Sequence, residues 1–126
     1  MEYIKKFKSE TDWMNRLSKS QSLRKKYPDK VPVIVDRSNV QMPKLKNNKY
    51  LVPTDFTVGQ FMNIIRKNVE LGPEEAMFLF VGDGQTLPSV GMMMSQLYQE
   101  QQSRCGYLFV VCSLESTFGM ASCEPI

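Results

Sequence analysis

No histidine occurs in this chain of 126 residues. The commonest general base is therefore missing, and so is the usual partner of a Cys or Ser nucleophile. Zinc held by Cys and His is not expected either. Cysteine is scarce. Cys105, Cys112 and Cys123 are three in number, so they cannot all pair internally, and no two form Cys-x-x-Cys. Cys105 and Cys112 lie in or beside the last predicted strand and read as small apolar residues. No apolar run reaches the roughly 20 residues of a membrane-spanning helix. The start, Met1–Glu2–Tyr3–Ile4–Lys5–Lys6, has no secretion-signal core, which points to the cytosol. Internal repeats, low-complexity segments and linkers are absent. Glu74 and Glu75 are adjacent, so on a helix they would not face each other. Gly82–Asp83–Gly84 lacks the Gly-Lys-Ser/Thr of a phosphate loop and predicts a tight turn. No catalytic, cofactor or metal constellation emerges, and an enzyme is not expected.

What is present fits one water-soluble domain. Hydrophobic residues make up 42% of the chain, enough for one modest core. The net charge of +3 is unevenly placed. Residues 1–30 hold nine Lys/Arg and four acids, a balance of +5, leaving −2 for the remainder. Such charges usually coat a solvated face. The sharper reading is a basic surface for an acidic partner: an anionic membrane, an acidic protein tail or RNA. Without an aromatic-basic RNA motif, nucleic acid ranks last.

Periodicity supplies the elements. A short helical piece is predicted at Ile4 to Lys8. Ser9–Glu10–Thr11–Asp12 can cap a second helix, in which Trp13, Leu17, Ser20, Leu23 and Tyr27 recur at helical spacing. Pro28 ends it. Val31–Pro32–Val33–Ile34–Val35 and Tyr50–Leu51–Val52 predict strands, an antiparallel pair across a long connection. Thr57 can cap a central helix with a buried stripe of Val58, Phe61, Ile64, Ile65 and Val69, ended by Gly72 and Pro73. Ala76 to Val81 predicts a strand buried on both faces. Met92 to Gln99 predicts a short helix, with Met92–Met93–Met94 packing in it, and Tyr107 to Cys112 the last strand. After two N-terminal helices, the order β-β-α-β-α-β fits an α+β fold of ubiquitin-like β-grasp type: a four-stranded mixed sheet around a central helix.

Beyond the last strand a polar connector leads to Phe118–Gly119 and an unpatterned Met120 to Ile126. Without a Cβ, glycine lets a narrow groove of another protein close on the backbone and leaves the acyl carbon unshielded. Taken alone, these residues suit a frayed tail better.

The words inside the elements are more specific than their order. Leu23–Arg24–Lys25–Lys26–Tyr27–Pro28–Asp29–Lys30–Val31–Pro32–Val33–Ile34–Val35, then Lys49–Tyr50–Leu51–Val52–Pro53 and Thr57–Val58–Gly59–Gln60–Phe61, resemble the autophagy ubiquitin-like modifier family. That family includes the light-chain-three and GABA-receptor-associated proteins. Ile64–Ile65–Arg66–Lys67, Gln96–Leu97–Tyr98–Gln99–Glu100 and Glu115–Ser116–Thr117–Phe118–Gly119 continue the resemblance in register, from about Phe7 to Gly119. It looks closer to the GABA-receptor-associated branch. The resemblance implies a single domain over 1–119, with a helical extension (1–28), a β-grasp core and C-terminal arm (29–119), and a cleavable peptide (120–126).

By the same resemblance, a cysteine protease cuts after Gly119, gripping Phe118. Activating and conjugating enzymes then pass the new carboxylate to phosphatidylethanolamine. The product is a lipoprotein on autophagosomal membranes, and the free form is cytoplasmic. Cargo receptors dock on it through aromatic-x-x-aliphatic motifs that add a strand at Lys49 to Val52. The implied aromatic pocket is Leu23, Pro32, Ile34, Lys49, Leu51 and Tyr107. The aliphatic pocket is Tyr50, Val52, Pro53, Phe56, Phe61 and Ile64. Ile34 and Phe61 must also serve the core, and Lys30 and Lys49 can meet acids flanking the motif. Several residues depart from the family pattern. Lys19 stands where relatives often carry an acid, Tyr107 where Phe is usual, and Cys112 where Tyr is frequent. Asn47 and Asn48 replace basic residues, and Asn68 replaces Arg. Two alternatives stay open: a soluble peptide-binding module never joined to lipid, and a microtubule-associated adaptor whose basic helices hold acidic tubulin tails.

Overall fold

The computed structural model describes residues 2–38, 42–72, 75–81 and 86–114. Gly82–Asp83–Gly84, Pro73, Glu74, Cys123, Phe118, Gly119 and the 120–126 peptide lie outside them. The elements are α1 (Glu2–Glu10), α2 (Trp13–Lys26), β1 (Lys30–Arg37), β2 (Lys49–Pro53), α3 (Val58–Lys67), β3 (Met77–Val81), α4 (Met94–Gln101) and β4 (Leu108–Leu114). The strands form one sheet in the order β2-β1-β4-β3, with β1 and β4 parallel at its centre and antiparallel strands outside. This is the four-stranded mixed sheet expected of a β-grasp.

β1 and β4 take the centre because their apolar residues serve both faces. Val31, Val33 and Val35 of β1 join Leu108, Val110 and Cys112 of β4 in the core under α3. Ile34 joins Tyr107, Phe109 and Val111 in a second core under α1 and α2. Pro32 is tolerated in β1 because of register. The Val35 N–H points at Asn48 on the β2 side, so alternation turns the Pro32 nitrogen toward β4. That ladder begins only at Val33, so no bond is lost.

α3 starts with a full capping box. Thr57 Oγ1 accepts the Gln60 N–H at 3.1 Å, and Gln60 Oε1 accepts the Thr57 N–H at 2.8 Å. Its buried residues are Val58, Phe61 and Ile65, while Ile64 is half-buried. The helix ends at Lys67, earlier than the Gly72–Pro73 pair suggests. Asn68 stops it: its side-chain amide donates to the Ile64 carbonyl at 3.1 Å and the Tyr50 hydroxyl at 3.2 Å.

Other boundaries move for tertiary reasons. β3 is not buried on both faces. It is an edge strand whose burial alternates, with Phe78 and Phe80 half-buried. α4 begins at Met94 because the backbone before it is tied to the start of α3: Met92 O accepts the Val58 N–H at 2.9 Å, and the Met94 N–H donates to Phe56 O at 2.8 Å. Met94 is fully buried and Met93 exposed, so the methionine triplet does not pack as one helical face.

The N-terminal helices are fastened by polar contacts the sequence does not announce. α1 is longer than expected, and buried Asp36 on β1 accepts the Ile4 N–H in its first turn at 3.0 Å. α2 does not sit on a large apolar stripe, since Trp13 is 43% exposed. It approaches the sheet through Ser20, whose hydroxyl donates to Cys105 O at 2.5 Å, beside Gly106 at φ +87°.

Candidate functional site

β2 lies at one border of the sheet, bonded among the described strands only to β1. Its outer edge can accept another strand. Alternation along β2 sends Lys49 and Leu51 to the face covered by α1 and α2, opposite Ile34 and Pro32. Tyr50 and Val52 turn to the α3 face, opposite Val33 and Val31. An added strand obeys the same alternation. Two of its side chains three residues apart therefore enter opposite faces, which is the spacing of an aromatic-x-x-aliphatic motif.

On the first face Ile34 and Tyr107 belong to one buried cluster, with Leu23 packed against it. Leu51 is half-buried and Lys49 exposed at the rim. Ile34, at 1% exposure, is a floor with almost no surface to offer. Phe7 of α1 stands edge-on to Tyr107 with ring centroids 5.5 Å apart, and Lys49 Nζ lies 5.5 Å from the Phe7 ring. Phe7 is absent from the residues expected here, although Tyr3, Ile4 and Phe7 at helical spacing mark the inner side of α1. Burial holds the Tyr107 phenol above its ordinary pKa, so this wall stays neutral.

On the second face Tyr50 meets Phe61 edge-on, with centroids 5.5 Å apart. Phe56 packs against the same cluster. The Tyr50 hydroxyl and the Ile64 carbonyl share the Asn68 amide. Val52 and Phe61 are buried core residues. Pro53 falls on the other side from its expected pocket: it pairs with Lys30, whose parity is that of Pro32 and Ile34. Lys30 and Lys49 sit at opposite ends of the β1–β2 ladder, four residues apart in register, about 13 Å. They cannot meet the same flanking acid.

The free cysteines Cys105 and Cys112 are both buried. Burial pushes the Cys112 thiol up to about 12, so it stays protonated and inert. No described group of acids and cysteines could hold a metal.

The family model described as "Autophagy protein Atg8 ubiquitin like" matches residues 15–119. The chain belongs to the Atg8 family. Autophagy-related protein 8e of Arabidopsis thaliana is 41% identical over 117 residues, 92% of this chain and 94% of its own. Autophagy-related protein 8 of Schizosaccharomyces pombe is 43% identical over 116 residues, 90% and 93% of the two chains. The crystal structure of Trypanosoma brucei ATG8 superposes with a TM-score of 0.79 at 32% identity, covering 87% of this chain and 94% of that one. The fold is the ubiquitin-like Atg8 fold, and the protein is a ubiquitin-like autophagy modifier.

Within this Atg8 chain the unusual residues acquire places. Asn48 extends the β1–β2 ladder, its carbonyl taking the Val35 N–H and its amide donating to Val35 O at 2.8 Å. Asn68 ties α3 to Tyr50. Asn47 and Lys19 are exposed.

Proposed function

We propose that this modifier is cut after Gly119, joined through that carbonyl to phosphatidylethanolamine, and used as a membrane-bound dock for aromatic-x-x-aliphatic motifs. The observation that supports the docking is the β2 edge, paired with β1 alone among the described strands, whose alternate residues turn to opposite faces of the sheet. In the acyl step the Gly119 carboxylate is activated with ATP and carried as a thioester. The lipid amine then takes the carbonyl and the thiol leaves. The chemistry belongs to the protease and to the activating and conjugating enzymes, so the modifier itself is not an enzyme. Gly119 is the fifth residue beyond Leu114, and a chain of that length reaches at most about 18 Å from the end of β4. The family match ends on the same glycine. No described helix is long and apolar enough to cross a membrane. An amide-linked lipid supplies two acyl chains, enough for stable anchoring where one is marginal. The free form is then cytoplasmic and the conjugate autophagosomal. A place nearer the GABA-receptor-associated branch of the family is part of the same proposal.

Leu51→Arg tests the dock. Leu51 is half-buried on an edge strand, so the domain keeps its circular dichroism. A charge placed where an aromatic ring must be desolvated should cost about 1.5–3 kcal/mol, a tenfold or greater loss in peptide affinity by calorimetry. Unchanged affinity would remove Leu51 and its pocket from the account.

A further inference from the structure

Tyr50 and Tyr98 have settled hydroxyls. Tyr50 accepts from the Asn68 amide at 3.2 Å, and Tyr98 donates to Gly106 O at 2.5 Å. Tyr107 differs. Only 7% of the residue is exposed, and its carbonyl accepts from Ser103 Oγ at 2.7 Å. Its hydroxyl has no hydrogen-bond partner among the described residues, yet the oxygen is not sealed from solvent. Tyr107 lines a cleft of about 510 Å³ between α1, the start of α2 and the Lys49 end of β2. Cations that share this cleft are engaged elsewhere. Arg16 Nη1 donates to the carbonyls of Thr11 and Lys8, the latter at 3.1 Å, and Lys49 Nζ lies 5.5 Å from the Phe7 ring. The remaining wall is apolar, with Phe7 edge-on to Tyr107 at 5.5 Å and Leu23 packed on the same cluster. Tyr107 precedes the Val33–Leu108 pair, so it stands in the row of Pro32 and Leu51. A strand added outside β2 would lie three strand spacings away, about 14 Å. A phenol reaching out and a large aromatic side chain reaching in close that span above the flat ring of Pro32.

We propose that Tyr107 is a specificity-determining residue: its hydroxyl accepts the indole N–H of a tryptophan at the aromatic position of the docked motif, and so selects tryptophan over phenylalanine. The inference rests on the docking reading above and deepens it. The indole is a donor only, and the phenol oxygen has lone pairs to receive it. Burial keeps that phenol neutral. A phenylalanine ring in the same place covers the hydroxyl without pairing it. A polar group desolvated without a partner costs roughly tenfold in affinity. A pocket that hydrogen-bonds one group of its ligand rejects the analogue lacking that group for this reason. With phenylalanine at position 107 the pocket would rank aromatic side chains by area and shape alone.

Three synthetic peptides, alike except at the aromatic position, decide the matter by calorimetry against the full chain and its Tyr107→Phe variant. One carries tryptophan and one phenylalanine. The third carries 3-benzothienylalanine, which keeps the shape of tryptophan but has sulfur in place of the N–H. On the parent chain the tryptophan peptide should bind about tenfold tighter than the benzothienyl peptide. In Tyr107→Phe those two should agree within about twofold, and the phenylalanine peptide should bind more tightly than it does to the parent. The comparison on the parent chain stands whatever the variant does to folding. Equal binding of the tryptophan and benzothienyl peptides to the parent chain, or an unchanged ratio in a folded Tyr107→Phe, would overturn the inference while leaving the dock intact. Failure of every peptide to bind would overturn the docking reading, and this inference with it.

Discussion

Gly119→Ala is expected to abolish recovery of the protein with membranes. The substitution adds one methyl group, yet it places that methyl beside the carbonyl on which a protease and a conjugating enzyme must successively close. A glycine backbone admits a tight groove from either side, and a Cβ fills it. Misplacing a reacting carbonyl by about 1 Å can cost roughly a hundredfold at each such step. Two successive losses compound, and an unlipidated chain has no acyl anchor to replace the missing one. Flotation of cell membranes on a density gradient reads the effect directly. The parent chain should divide between soluble and floating fractions, and the variant should remain soluble with its 120–126 peptide attached. Undiminished flotation of Gly119→Ala would mean that the membrane association does not run through this carbonyl.

The second large effect lies far from the tail. Gly106 has φ +87°, where an L side chain is strained by about 1–2 kcal/mol. A Cβ there would also overlap Ser20 Oγ and stand 3.0 Å from Ser20 Cβ. Ser20 is buried and bonded to Cys105 O, so it cannot swing away without leaving that carbonyl unpaired. Gly106→Ala should therefore lower stability by about 3 kcal/mol or more, read as a shift in the urea midpoint. The two causes separate by a second change. Adding Ser20→Gly removes the overlap but not the backbone strain, so the two mutations should be strongly non-additive. Strict additivity would show that the crowding seen between α2 and the 105–106 turn is not felt. The contact matters for docking because the same helix carries Leu23 to the aromatic pocket.

The elements most legible in the sequence are those whose local signals and tertiary roles agree. The β-branched run through Val31 to Val35 is a strand in isolation and a central strand in the sheet. Thr57 and Gln60 form a capping box whatever packs above them. Legibility fails where a distant partner decides. Gly72 and Pro73 look like a helix terminus, but the amide of Asn68, drawn to Tyr50 across the domain, ends α3 first. Met92–Met93–Met94 suits a helix, but Met92 O and Met94 N are bonded to the mouth of α3, with Met93 paired opposite Thr57 between them. A buried aspartate on β1 looks like a turn residue until the Ile4 N–H is seen on it.

The docking surface divides in the same way. Its residue types follow from the family resemblance, and its two-sided geometry follows from simple alternation along β2. Register alone shows that Pro53 shares a face with Lys30 and that Lys30 and Lys49 mark opposite ends. Phe7 and Arg16 are invisible as site residues in the sequence because α1 and α2 are brought over β2 only by the fold. Charge counting does touch this region: Lys6, Arg16 and Lys19, three of the nine Lys/Arg in residues 1–30, line a cleft between α1, α2 and the Lys49 end of β2.

The intact mass of the protein recovered from autophagy-competent cells tests the central claim most directly. The account predicts a soluble species lacking Met120–Ile126 and a membrane-bound species of the same shortened chain heavier by one phosphatidylethanolamine less water. A single full-length species in both fractions would contradict it.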